Sequence, residues 1–125
     1  MTISILFLQH VNVRVRPDVE DAAKNFYGKL LGLREIPKPE DLKARGGAWY
    51  QIGGVQLHLS RDGAADNEGS KRHFCFYVAD LEQAQQQLAS AGVEILPDDQ
   101  PIPGQPRFYV RDPGGNLIEV AEGTG

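Results

Sequence analysis

Gln9-His10-Val11-Asn12-Val13-Arg14-Val15 and Arg72-His73-Phe74-Cys75-Phe76-Tyr77-Val78 are two versions of one strand, each with a histidine as its second residue. Each version opens a longer pattern that ends on another potential metal ligand. The first copy closes with His58 in Val55-Gln-Leu-His-Leu-Ser60, and the second with Glu119 in Asn116-Leu-Ile-Glu-Val-Ala121. The chain has 3 histidines, and all of them fall at matched points of this repeat. Two modules that each offer imidazole or carboxylate at equivalent positions are a metal-site hypothesis with a geometric basis.

The repeat extends through the rest of each copy. Both copies begin with strand-like runs, Phe7–Val15 and His73–Val78, rich in β-branched and aromatic residues. Helical spacing follows. Val19, Ala22, Ala23, Phe26 and Leu30 lie between Asp18 and Gly32, and Leu81, Ala84, Leu88 and Ala91 lie between Asp80 and Gly92. Aspartate there can cap free amide groups, and glycine supplies the left-handed exit. Gln83, three residues after Asp80, suits a capping box. Each helix leads to further short strands. Ala48–Ile52 and Val55–Ser60 flank Gly53-Gly54, while Arg107–Arg111 and Leu117–Glu122 flank Asp112–Asn116. The pattern predicts an α+β fold of two βαβββ modules with curved mixed sheets. Module one covers about 1–60, a polar linker Arg61–Arg72, and module two about 73–125.

Composition narrows the function classes. A chain of 125 residues is a single domain by size, and each half alone would be marginal. With a net charge of −4 and no aromatic-basic patch, nucleic acid is not an expected partner. No apolar run reaches the length of a membrane span, and Ile3–Leu8 lacks the basic leader and cleavage site of a signal peptide. Cys75 is the 1 cysteine, which excludes an intrachain disulfide and makes a reducing cytoplasm the expected location.

Strand alternation aims the side chains. His10, Asn12 and Arg14 share one face of the first strand, and Val11, Val13 and Val15 share the other, which suits packing beneath the helix. His73, Cys75 and Tyr77 likewise share a face, leaving Phe74, Phe76 and Val78 for the core. Gln56 lines up with His58, and Leu117 and Ala121 with Glu119. The four ligand candidates are therefore expected on the polar, concave side of a curved sheet. Trp49, Tyr50, Phe108 and Tyr109 read as strand packing, Cys75 as an inert pocket-lining thiol, and Gly114-Gly115 as a turn with no helix behind it to bind phosphate.

These segments resemble the vicinal oxygen chelate superfamily, which includes glyoxalase I, extradiol dioxygenases, fosfomycin-resistance thiol transferases and bleomycin-binding proteins. The resemblance is carried by His10-Val-Asn-Val-Arg-Val15, Phe26-Tyr27, Leu31-Gly32-Leu33 and Arg107-Phe-Tyr-Val-Arg-Asp-Pro-Gly-Gly-Asn-Leu-Ile-Glu119. It implies paired modules forming a cup around one divalent metal, with His10, His58, His73 and Glu119 as the ligand set. His58 stands where many members carry Glu, Gln or no ligand. Similarity to glyoxalase I implies that Arg14, with Asn12 beside it, binds a small anionic substrate. The ligand types suit zinc, nickel, manganese or iron alike. Glu119 is either a permanent ligand or a displaced carboxylate base. The resemblance implies a lyase or isomerase of the glyoxalase type first and an extradiol dioxygenase second. A metal-independent, bleomycin-resistance-like binding protein is the reading from a different class. Short members of the family also imply a homodimer in which each cup combines module one of one chain with module two of its partner.

Overall fold

β-Branched Val11, Val13 and Val15 form β1 (His10–Val15), with Val13 and Val15 buried and His10, Asn12 and Arg14 exposed. This computed structural model describes residues 1–124, and its chain divides into two compact units, Met1–Ala64 and the part from Ala65 onward.

In the first unit a helical segment follows β1, then β2 (Arg34–Ile36), β3 (Ala48–Ile52) and β4 (Val55–Arg61). The sheet order is β1-β4-β3-β2. β1 runs parallel to β4, placing Asn12 opposite His58, and the Gly53-Gly54 turn makes β3 and β4 an antiparallel hairpin. Gly53 takes φ 54, a conformation that favours glycine. Behind the sheet Tyr27 meets Tyr50 at 6.2 Å between ring centres, and the buried layer includes Ala23, Phe26, Leu57 and Leu59.

Two expectations for this unit need correction. The strand begins at His10, not Phe7, and Ile3, Ile5, Leu6, Phe7 and Leu8 are exposed. The register explains the late start. His10 pairs with Gln56, Gln9 accepts from the Gln56 amide, and beyond Val55 the partner strand has already entered its turn. Asp18 does not cap the helix. It sits inside a 3-10 turn, Pro17–Val19, that precedes α1 (Glu20–Asn25). Pro17 presets the backbone angle and lacks an amide, so the chain starts winding ahead of the predicted cap. The segment continues as a wide π-turn over Phe26–Leu30 and stops before Gly32, at φ 70.

The second unit holds β5 (His73–Val78), α2 (Leu81–Ser90), β6 (Arg107–Arg111) and β7 (Leu117–Glu122), with sheet order β5-β7-β6. β5 is parallel to β7 and β6 antiparallel to it. Asp80 caps α2 as expected, accepting from the Gln83 amide at 3.0 Å. Phe108, Val110, Ile118, Val120 and Leu88 are buried, while Phe74, Phe76 and Val78 are only half-buried. The strand expected directly after α2 contracts to a single bridge, Leu96 with Tyr109. Pro97, Pro101, Pro103 and Pro106 crowd this stretch and cannot donate to a ladder. Each sheet is thus mixed, with 4 strands in one and 3 in the other, in an α+β architecture.

Candidate metal centre and substrate cleft

Parallel pairing of β1 with β4 brings the first two ligand candidates together. The His10 and His58 rings stack at 4.1 Å, and Trp49 covers the opposite side of His58 at 3.9 Å with the planes 2° apart. Burial pushes the His58 pKa down, and positive charge at His10 and Lys38 adds to the effect, so the neutral, ligating form of the ring is favoured. The Nε2 atom of His58 lies 2.8 Å from the Gln56 side-chain oxygen, and His10 Nδ1 lies 2.5 Å from that of Gln9. Along the same face Ser60 Oγ donates to Asn12 Oδ1 at 2.6 Å, and Arg14 pairs with Asp62 at 3.1 Å. His58, Asn12 and Arg14, though not His10, line a cleft of about 410 Å³ that also takes in Lys38, Arg45 and Trp49.

A buried carboxylate shapes the wall of this cleft. Glu20, only 8% exposed at the start of α1, accepts from the Gly47 amide at 2.6 Å and pairs with Lys24 and Arg61 at 3.4 Å each. Gly46 and Gly47 adopt φ 74 and 75, and a side chain at Gly47 would run into the Leu59 carbonyl. Only glycine lets the backbone approach this closely.

In the second unit β5 and β7 bring His73 Nε2 within 3.2 Å of Glu119 Oε1. The Lys71 carbonyl can only accept a hydrogen bond, so His73 Nδ1, 2.9 Å away, carries a proton. His73 Nε2 faces the carboxylate, where it serves either as a hydrogen-bond donor to Glu119 or, without a proton, as a lone pair open to a cation. Metal-binding histidines are commonly fixed by such an Nδ1 contact to a carbonyl. A nitrogen and an oxygen donor 3.2 Å apart are of the chemistry that suits a divalent ion. Among the described residues no group of three or more His, Cys, Asp or Glu side chains able to hold a metal comes together. Within the units the four candidates occur as two pairs, His10 with His58 and His73 with Glu119.

Three neighbours of the pairs escaped the sequence reading. Arg107 Nη1 reaches Glu119 Oε2 at 3.4 Å and is itself held by Asp98 at 2.7 Å. Tyr109 donates to Glu119 Oε1 at 3.4 Å, and burial next to Glu119 raises its pKa. The packing role expected of four aromatic residues holds for buried Tyr50 and Phe108, whereas Trp49 and Tyr109 belong to the ligand face. Strand period could assign each its face, but only the register sets Tyr109 opposite Glu119 and Trp49 opposite His58. Arg14 pairs with Asp62 and Arg111 donates to the carbonyls of Gly115 and Ser70, while Arg107 is the arginine that reaches Glu119. Burial and Glu119 push the Cys75 thiol up to about 11, which keeps it protonated and unreactive at neutral pH.

The sequence and this fold have a family match. The model of the glyoxalase/bleomycin resistance protein/dioxygenase superfamily covers residues 8–120. The chain belongs to that superfamily. Similar chains include a glyoxalase family protein of known structure from Bacillus anthracis, 39% identical, covering 99% of this chain and 100% of that one with a TM-score of 0.86. Glyoxylase I 4 of Arabidopsis thaliana is 28% identical over 123 residues, 90% of this chain and 68% of the relative. Lactoylglutathione lyase from Agrobacterium tumefaciens shares the fold at a TM-score of 0.72 and 23% identity, with 96% of each chain covered. Members of the glyoxalase superfamily commonly are enzymes that act on small molecules and typically use a divalent metal. No helix among the described residues is long and apolar enough to cross a membrane.

Proposed function

We propose that the protein is a divalent-metal-dependent enzyme of the glyoxalase type, a lyase or isomerase acting on a small anionic substrate with neighbouring oxygens. The observation that carries this reading is the His73–Glu119 pair, with His73 fixed through Nδ1 and its Nε2 aimed at a carboxylate oxygen 3.2 Å away. His10, His58, His73 and Glu119 would hold zinc, nickel, manganese or iron. When bound, the ion supplies stabilisation of negative charge developing on a substrate oxygen. Arg14 and Asn12 orient the anionic end of the substrate from the face they share with His10. Glu119 is the carboxylate of the set and receives the proton that leaves the substrate carbon. Tyr109 and Arg107 hold that carboxylate in place from the neighbouring strand.

Two donors do not satisfy a metal that takes four or more ligands. Each pair is therefore half a set, completed by the complementary module of a second copy in a cytoplasmic homodimer. The exposed apolar run Ile3, Ile5, Leu6, Phe7 and Leu8 supports self-association, since contiguous apolar surface usually marks an interface.

Metal analysis of tag-free protein tests the reading. About one ion per ligand set is expected, and His10→Ala, His73→Ala and Glu119→Ala each abolish tight binding, whereas His58→Ala weakens it. Full metal content in both the His10→Ala and Glu119→Ala proteins overturns the assignment. A metal-independent binding protein is the second reading, favoured by the contacts that Glu119 already makes with His73, Arg107 and Tyr109. It predicts ligand binding that survives chelation.

A further inference from the structure

The cleft of the first unit carries more positive charge than the chain around it would suggest. Arg14, Lys38, Arg45 and Arg61 line it with Asp62, in a protein whose net charge is −4. Two of these cations are compensated, Arg14 by Asp62 and Arg61 by Glu20. Lys38 and Arg45 have no such ion pair among the described residues, and the Glu20 carboxylate that also acts on Lys38 is already shared by Lys24 and Arg61. The Lys38 ammonium donates to the Gly46 carbonyl, a neutral partner. The acid of the Glu40–Arg45 turn that forms an ion pair, Glu40, is taken by Lys43 at 2.8 Å.

Lys38 precedes that turn and Arg45 ends it, so the 3-10 segment brings both cations to one cleft. Half-buried Lys38 is only partly hydrated, and Gly46 is fixed beneath it by the close approach of Glu20 and Arg61. Cations crowded in a concave, partly dry space attract an oxyanion more strongly than isolated surface charges do. A guanidinium fork and a point-like ammonium together can engage two or three oxygens of one tetrahedral or planar anion. A volume of about 410 Å³ accommodates such a group with a small organic body attached.

We propose that Lys38 and Arg45 form an oxyanion clamp that binds the phosphate or carboxylate of a small metabolite without needing the metal. This rests on and deepens the proposed function by adding Lys38 and Arg45 to Arg14 at the anionic end of its substrate, but its test is independent of metal binding. Trp49 lines the same cleft and is the 1 tryptophan of the chain, so its fluorescence reports occupancy.

The experiment titrates EDTA-treated and untreated protein with inorganic phosphate and with malonate, against sodium chloride at matched ionic strength. Saturable fluorescence changes with phosphate or malonate, absent with chloride, are expected in both preparations. Whichever anion saturates at lower concentration identifies the phosphate or the carboxylate source. Lys38→Gln and Arg45→Gln should each weaken binding by about tenfold, the loss of one charge-assisted contact. Lys43→Gln, which removes an equal charge already paired with Glu40, should bind as the unaltered protein does. Circular dichroism confirms that each variant is folded before titration. No saturable change with either anion, or equal weakening by Lys43→Gln and Lys38→Gln, overturns the clamp. Loss of metal binding alone overturns only the metal-dependent reaction.

Discussion

Replacing Glu20 with glutamine should destabilise the protein by about 2 kcal/mol at neutral pH, and the loss should shrink in acid. Glutamine keeps the shape and one acceptor, so the Gly47 amide retains a neutral hydrogen bond in place of a charge-assisted one, at a cost of about 1 kcal/mol. Lys24 and Arg61 lose their counter-charge, but their side chains are 40% exposed, which limits each pair to less than about 1 kcal/mol. For a chain of this size the total lowers the melting temperature by roughly 6–10 °C. The bond from Gly47 holds the Glu20 carboxyl below the ordinary glutamate range, with Lys24 and Arg61 helping and burial opposing. A pKa lowered on folding adds stability above the unfolded-state pKa of about 4.3 and loses it as pH falls through the folded-state value. Urea unfolding of both proteins at pH 7, and stepwise below pH 5, measures the difference. A gap that keeps its full size down to the acid limit of the fold, or no gap at pH 7, refutes the reasoning.

Two further outcomes bear on the proposed enzyme. Arg14→Lys should raise the Michaelis constant for an anionic substrate severalfold with metal content unchanged, because the bidentate fork is lost while the charge remains. Wild-type kinetics in Arg14→Ala across a panel of anionic substrates would show that Arg14 is structural and that the anionic-substrate reading fails with it. Sedimentation at micromolar concentration should give twice the 13.8 kDa chain mass. A protein that sediments as one chain and still binds metal tightly rules out a ligand set completed by a second copy.

What could be read from the residues alone follows from the range of the interactions involved. Alternation in β1 is local, so the burial of Val13 and Val15 and the exposure of His10, Asn12 and Arg14 were legible. The same holds for both hairpins and for the Asp80 cap, each settled within a few residues. Asp18 misled because the deciding residue was its neighbour Pro17, whose ring starts a 3-10 turn that the apolar spacing cannot reveal. The start of β1 misled for another reason. Phe7 and Leu8 have strand propensity, but a strand exists only where a partner continues, and β4 has turned away by then.

The environment of the candidate ligands was hidden because it is built across strands. Parallel pairing of β1 with β4 and antiparallel pairing of β3 with β4 put His58 between His10 and Trp49. Period two assigns each residue a face but not its opposite number, which depends on register. Arg107 shows the same limit. Its strand face was available from the sequence, but its contact with Glu119 comes from the β6–β7 ladder, and its anchoring by Asp98 comes from the irregular chain before β6. Glu20 is the extreme case. A carboxylate in the first turn of a helix normally reads as a solvated charge favoured by the helix dipole. Here it turns inward because Gly46 and Gly47, more than twenty residues later, leave no side chain in its way and present an amide to it. A charged residue beside a helix start and a distant Gly-Gly pair carry no joint signal until the fold brings them together. Those two glycines also form the wall beneath Lys38, so the feature least legible from sequence is the one that shapes the cleft.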